Sequence, residues 1–219
     1  MENVAMDEDV TGEKPSRSEA KRRAILNAAT EVFLKSGYLG TNMDEIAALS
    51  GVSKQTVYKH FSSKEALFVE IVSSMTNTAG DLVHNDIAAA ETEAILADFL
   101  IDYAYRQLSI VLTPRLMQLR RLVIGEVPRF PDLARVLYER GPLRAMRSLA
   151  ATFEILAQRG FLIIGEPMLA AQHFNWLVMS EPLNRAMLMG DDAIPADDEL
   201  RRTARDGVRV FLAAYGKGK

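Results

Sequence analysis

Apolar residues recur at every third or fourth position along most of this chain, and no segment shows sustained alternation of apolar and polar residues. The first spacing places apolar side chains on one stripe of an α-helix, whereas a half-buried strand would need the second. One such stripe consists of Ile25, Ala28, Ala29, Val32 and Phe33. The pattern predicts an all-α protein of about nine helices.

Glycine, proline and polar capping residues divide the chain into these predicted helices. Gly37 stands where a left-handed C-terminal cap would end the first helix, and Gly51 interrupts the second. Three N-terminal caps are predicted. Thr41 forms a capping box with Asp44, Ser62 forms one with Glu65, and Ser53 caps its helix alone. Further helices are predicted at 91–111, 114–126, 131–158, 166–188 and 197–215, with a break or kink at Pro142.

Charge is distributed unevenly along the chain, whose formal net charge is −3. Residues 1–16 carry five acidic and one basic residue, show no apolar periodicity and are predicted to form a disordered acidic tail. Residues 17–64 carry eight basic and four acidic residues. This basic segment would suit phosphate, although a solvated basic surface would have the same composition. Because the fourth predicted helix ends at about residue 78, we expect a basic first domain at 17–78 and a larger helical domain at 79–219.

Several classes of protein do not fit this composition. The chain has no cysteine and three histidines without an H-x3-H pair, so we expect no metal and no cofactor. It shows no nucleophile–histidine–carboxylate arrangement or phosphate loop, and we do not expect an enzyme. No apolar run approaches the roughly 18 residues of a membrane span, and the first residues do not form a signal peptide. We expect a cytoplasmic protein with no membrane partner.

Residues 41–68, TNMDEIAALSGVSKQTVYKHFSSKEALF, contain the most informative motif. Two short helices that meet at a tight turn need a small residue, a glycine and a buried aliphatic residue, and Ala47, Gly51 and Val57 provide them in order. Phe61 follows Val57 by four residues and should share its inward face. The motif predicts a helix-turn-helix, although similar helical hairpins also occur in proteins that do not bind DNA.

If Val57 and Phe61 face inward, the polar residues of the third helix face outward. Gln55 could pair with adenine and Lys59 with guanine in the major groove. Thr56, Tyr58 and Lys64 carry hydroxyl and ammonium groups that suit phosphate oxygens.

The stretches FLKSGYLGTNMDEIA and TVYKHFSSKEALF resemble the DNA-binding domain of the TetR/AcrR family of regulators, and the similarity extends over about residues 17–78. The resemblance implies an N-terminal three-helix helix-turn-helix domain that binds double-stranded DNA. It places Thr41, Ser53, Lys54, Gln55, Thr56, Tyr58, Lys59, His60 and Lys64 at DNA-contacting positions. Gln55 departs from the family pattern, which often has glycine or another small residue there, so the operator sequence cannot be transferred.

Residues 121–142 are similar to the AefR-like branch of C-terminal domains in this family. This resemblance implies a ligand pocket among the middle helices and a homodimer formed by the last two. Candidate pocket residues are Tyr103, Gln107, Met117, Phe153, Phe174, Trp176 and Met179. Candidate dimer residues are Leu169, His173 and Leu177 on one helix and Leu200, Ala204, Val208 and Phe211 on the next. Both sets could instead belong to the core of one protomer.

The sequence therefore predicts a DNA-binding transcriptional regulator, by default a repressor that a small, largely apolar effector releases from a palindromic operator. The alternative is a regulator that binds DNA or protein partners without any ligand.

Overall fold

A computed structural model describes residues 16–84 and 93–217, which form ten α-helices and no extended sheet. The first four helices are α1 (Arg17–Gly40), α2 (Met43–Ser50), α3 (Lys54–His60) and α4 (Lys64–His84). The other six are α5 (Glu93–Val111), α6 (Pro114–Gly125), α7 (Pro131–Tyr138), α8 (Arg144–Gln158), α9 (Pro167–Met189) and α10 (Asp197–Tyr215). A π-helical turn over Glu139–Leu143, which contains Pro142, joins α7 to α8. If this pair counts as one bent helix, the described residues contain nine helices, as predicted.

The helix ends confirm some of the predicted caps and correct others. Gly37 has a φ of 70° and ends the regular part of α1, and the Ser53 hydroxyl accepts the Thr56 N–H at 3.1 Å. By contrast, Asn42 caps α2 because the Thr41 side chain turns into the protein. Ser63 is the residue whose hydroxyl accepts an N–H at the start of α4, so the predicted box at Ser62 was wrong.

The predicted acidic tail lies outside the described residues except for Ser16. The Ser16 side chain accepts the Glu19 N–H at 3.2 Å, and the Glu19 carboxylate accepts the Ser16 N–H at 2.8 Å. This reciprocal capping box makes Ser16 part of the first helix rather than of a tail.

Two apolar clusters form the core, and both include residues of α4 and α6. The first cluster packs α1 to α4 against α6 and α7 and includes Phe33, Phe68 and Leu119. The second packs the end of α4 among α5, α6, α8, α9 and α10 and includes Phe153 and Phe211. The proposed domain boundary between residues 78 and 79 falls inside α4, so one continuous helix links the two parts.

Helix α10 packs along α5 and α9 within the protomer. At Gly207 of α10 a Cβ atom would lie 3.0 Å from Val178 Cγ2 and 3.3 Å from the Leu177 carbonyl oxygen of α9. The absence of a side chain at Gly207 therefore permits this close approach of the two helices. Within the described residues, no helix is both long enough and apolar enough to span a membrane.

Candidate nucleic-acid interface and ligand cavity

The turn between α2 and α3 has the geometry that the motif predicts. Gly51 adopts φ 68° and ψ 25°, a left-handed conformation that favours glycine, and its N–H bonds the Ala48 carbonyl at 3.2 Å. Val57 is fully buried and Phe61 is 5% exposed, so both anchor α3 from beneath. The opposite side of α3 is consequently held towards solvent.

The outward side of α3 is polar and accessible. Ser53, Lys54, Gln55, Tyr58 and Lys59 are exposed, whereas Thr56 and His60 are half-buried. The exposed set combines an amide, hydroxyl groups and two ammonium groups on one short helix and its cap. This arrangement suits contacts with base edges and phosphates in a major groove.

Local contacts engage two members of this set without removing them from solvent. Lys54 forms an ion pair with Asp44 of α2 at 2.9 Å, and the bond to this carboxylate raises the pKa of Lys54. Because both side chains are exposed, the pair contributes little to stability and could exchange its carboxylate for a phosphate at little cost. The Ser53 and Thr56 hydroxyl oxygens lie 2.9 Å apart.

Thr41 and Lys64 both use their side chains in contacts within the protein. Thr41 is 5% exposed, and its hydroxyl donates to the Gly37 carbonyl at 2.7 Å. The Lys64 ammonium donates to the Thr41 carbonyl at 2.7 Å and lies 4.9 Å from the centre of the Tyr38 ring. Partial burial lowers the pKa of Lys64. Both side chains join the end of α1 to the start of α4. The buried Thr41 hydroxyl is therefore turned away from DNA, whereas a DNA contact by the half-buried Lys64 stays a prediction.

Exposed polar residues that the motif did not indicate stand next to these two. Asn42 is exposed at the start of α2, where its side-chain oxygen accepts the Asp44 N–H at 2.9 Å. Ser63 is exposed at the start of α4. The strong preference of asparagine and serine for N-caps is the signal that could have identified both.

A cavity of about 170 Å³ lies between α4, α5, α6, α9 and the turn that joins α7 to α8. It is lined by Ala79, Gly80, Val83, Gln107, Val111, Arg120, Tyr138, Gly141, Pro142, Ala145, Asn175, Trp176, Met179 and Leu183. Its wall is mainly apolar, as expected for a site that binds small organic molecules.

Three of the seven predicted pocket residues, Gln107, Trp176 and Met179, line this cavity. Tyr103, Met117, Phe153 and Phe174 are instead fully buried and do not line it. The rings of Phe153 and Phe174 both pack on Phe211, with centroids 4.9 and 5.2 Å away. Helical spacing marks such residues as inward-facing but cannot separate a cavity wall from solid core.

Two polar side chains in the cavity have bonding capacity that no described residue satisfies. The Gln107 side-chain N–H donates to the Asn175 oxygen at 3.0 Å, while the buried Gln107 Oε1 accepts no hydrogen bond. Arg120 forms no ion pair with a described residue, and burial lowers the pKa of its guanidinium. Arg120 is not among the predicted pocket residues, although a cation three residues after Met117 on an apolar stripe is a signal of such a site.

The predicted dimer residues fall into two groups. Leu169, His173 and Leu177 of α9 are exposed, and His173 Nδ1 lies 2.6 Å from the Tyr215 hydroxyl. The four on α10 are buried inside the protomer, so the prediction that they face a second copy was wrong. These are Leu200, Ala204, Val208 and Phe211, which belong to the second apolar cluster.

Comparison with known proteins finds two matching domains. Residues 25–71 match the tetR family of bacterial regulatory proteins. Residues 98–217, more than half of the chain, match the C-terminal domain of AefR-like transcriptional repressors.

Solved structures with the same architecture include a protein from Mesorhizobium loti assigned to the TetR family. It is 39% identical, with a TM-score of 0.84 over 93% of this chain and 100% of the other. The flavonoid-responsive regulator FrrA is 31% identical, with a TM-score of 0.72 over 91% of this chain and 98% of FrrA.

Among curated proteins, the transcriptional regulator RutR of Escherichia coli K12 is 36% identical over 89 residues. That match covers 41% of this chain and 38% of RutR, so the chain spans well under half the length of this relative. The extended domain match and the similarity to the Mesorhizobium loti structure over its whole length establish kinship. The chain belongs to the TetR family of DNA-binding transcriptional regulators and has a C-terminal domain of the AefR-like kind.

Proposed function

We propose that this protein is a homodimeric repressor that binds a palindromic operator and leaves it when a small, largely apolar molecule enters the cavity. The observation that carries the proposal is the outward polar side of α3, held in place by buried Val57 and Phe61. Gln55 and Lys59 are its base-reading candidates, and Lys54, Tyr58 and the half-buried His60 accompany them.

A dimer would let two copies of α3 enter successive major grooves, about 34 Å apart on one face of the duplex. The exposed residues Leu169, Trp176 and Leu177 give α9 a partly apolar outer surface that a second copy could cover. A twofold interface brings the same surface of each protomer together. A palindromic operator would match this symmetry.

The cavity lies where a ligand could influence the DNA-binding helices. Ala79, Gly80 and Val83 of α4 line it, and the earlier turns of α4 place Leu67 and Phe68 in the first apolar cluster. A ligand that favours a different placement of α4 would therefore change the spacing of the two α3 helices. A roughly hundredfold loss of operator affinity requires about 2.7 kcal/mol of differential ligand affinity between the two states. The flavonoid response of FrrA supports such a ligand response here.

A gel-shift experiment tests this function. The purified protein is mixed with DNA from around its own gene, at several salt concentrations, with and without a panel of hydrophobic compounds. We expect a retarded complex that unrelated DNA does not displace, that weakens steeply with salt, and that at least one compound dissociates. A reporter gene under the bound promoter should be more active when the protein is absent.

Other outcomes separate the alternatives. A specific complex that no compound affects would favour a ligand-independent regulator, and a reporter that falls silent without the protein would indicate an activator. Failure to retard any of these fragments more strongly than unrelated DNA would contradict sequence-specific operator binding.

A further inference from the structure

The cavity wall contains one cation and no carboxylate among the residues that line it. Arg120 projects from α6 into surroundings formed by apolar residues such as Val83, Val111 and Met179. The nearby Arg144 guanidinium differs, because it pairs with Asp81 at 2.5 Å. Within the described parts of the chain, the positive charge of Arg120 therefore remains uncompensated.

An uncompensated charge in a partly buried apolar site constrains what can bind there. A neutral apolar ligand would displace water from the Arg120 guanidinium and supply no replacement bond, which carries a free-energy cost. An anionic oxygen group would form charge-assisted hydrogen bonds with the guanidinium in a poorly solvated setting, where such bonds are strong. The cavity should therefore prefer anions to neutral molecules of the same shape.

Gln107 provides a second and independent indication of a ligand. Its side chain is 3% exposed and lines the same cavity, yet its Oε1 atom accepts no hydrogen bond from any described residue. A buried acceptor without a donor costs free energy that a ligand hydroxyl could recover. The bond from Gln107 to Asn175 holds this side chain in place.

We propose that the cavity selects small organic acids: an apolar ring system with one carboxylate for Arg120 and a hydroxyl group that donates to Gln107. This inference rests on the ligand site of the proposed function and adds the chemical class of the ligand. Arg120 provides selectivity for charge, Gln107 recognises the hydroxyl, and the apolar wall accommodates the ring.

Binding is measured with the full-length protein without DNA, through the fluorescence of Trp176, which is the single tryptophan of the chain and lines the cavity. The probes are 4-hydroxybenzoate and 6-hydroxy-2-naphthoate, each compared with its neutral carboxamide. We expect at least one of the two acids to bind about tenfold or more tightly than its carboxamide. Removing the hydroxyl of that acid should weaken binding further.

The variants Arg120→Met, Arg120→Lys and Gln107→Met identify the groups responsible. Arg120→Met should remove the preference for the acid, Arg120→Lys should keep part of it, and Gln107→Met should remove the benefit of the hydroxyl. Arg115→Met is the matched control, because Arg115 is an exposed arginine on the same helix that does not line this cavity. Circular dichroism verifies folding, and Arg120→Lys keeps the test decisive if Arg120→Met does not fold.

The proposal is overturned if neither acid binds, if acids and carboxamides bind equally, or if every Arg120 variant that folds keeps the full preference of the parent protein. These results leave operator binding untouched, and release by neutral compounds alone would then preserve the proposed function. Conversely, acids that bind through Arg120 without dissociating the DNA complex would support this inference and contradict ligand-controlled release.

Discussion

Gln55 and Lys54 are adjacent exposed residues on α3, but the proposed DNA contacts of their side chains depend on different physics. A glutamine amide can donate to and accept from one adenine at the same time, so it discriminates between bases. A lysine ammonium near the backbone is attracted to any phosphate and carries no sequence information. Exposure alone therefore does not determine the role of a residue at this surface.

We predict that Gln55→Ala changes the order of preference among operator variants. Its effect should be concentrated at one base pair in each half-site and amount to about 1–3 kcal/mol there. Lys54→Ala is the matched control and should weaken all sequences about equally while lowering the salt dependence of binding. Competition gel shifts over a set of single-base operator variants measure both effects. A uniform loss for Gln55→Ala would remove Gln55 from the base-reading set.

At the scale of elements, Lys64 ties the start of α4 to the end of α1. Its ammonium donates to the carbonyls of Thr41 and Leu39 at 2.7 and 3.3 Å. These carbonyls lie at the end of α1, where the helix itself provides no N–H partner for them. The Tyr38 ring beneath Lys64 packs in turn on Phe130, the residue before α7, with ring centroids 4.5 Å apart. One side chain thus participates in the junction of three helices.

We predict that Lys64→Met lowers the free energy of unfolding by about 1 kcal/mol, because two carbonyl groups lose their donor. Urea unfolding followed by circular dichroism measures the change. Lys35→Met, at an exposed lysine of α1, should leave stability within error. Should Lys64→Met keep its stability yet weaken every DNA complex alike, Lys64 would be a phosphate contact after all.

At the scale of the whole molecule, α9 has apolar residues on its outer side that no described helix covers. Leu169 and Leu177 are 41% and 40% exposed, whereas the apolar stripe of α10 packs against α5 and α9 of the same protomer. A second copy could therefore bury the α9 surface but could not reach Phe211 without unfolding the protein. Of the two predicted parts of the dimer surface, the α9 residues are thus exposed and the α10 residues belong to the core of one protomer.

We predict that Leu177→Arg weakens dimerisation by at least about tenfold, because a twofold interface places the new charge at its surface twice. Sedimentation equilibrium measures the dissociation constant, and thermal unfolding of the monomer should be unchanged. Ile124→Arg introduces the same charge at an exposed position of α6 and serves as control. A dimer of undiminished affinity in Leu177→Arg would exclude this part of α9 from the interface.

Phe211→Ala should instead destabilise the protomer by about 3–5 kcal/mol, because Phe211 is fully buried in the second apolar cluster.

Local signals predicted most helix positions and the outward side of α3. The glycines at 37 and 51 and the Ser53 cap act within a few residues, so the sequence near them contains the information. The predicted caps at Thr41 and Ser62 were wrong because the following residues, Asn42 and Ser63, can also cap a helix. At the first of these sites, the burial of the Thr41 side chain left Asn42 as the cap.

The sequence alone determined that the chain is helical and that Val57 and Phe61 turn the polar side of α3 outward, because spacing along a helix decides which residues share a face. Only the tertiary structure decided that the α10 stripe faces α5, that Lys64 caps carbonyls, and that Arg120 lies in a cavity where no described residue pairs with it. These outcomes depend on which helices meet across long chain separations, and apolar periodicity indicates that a stripe is buried without naming its partner.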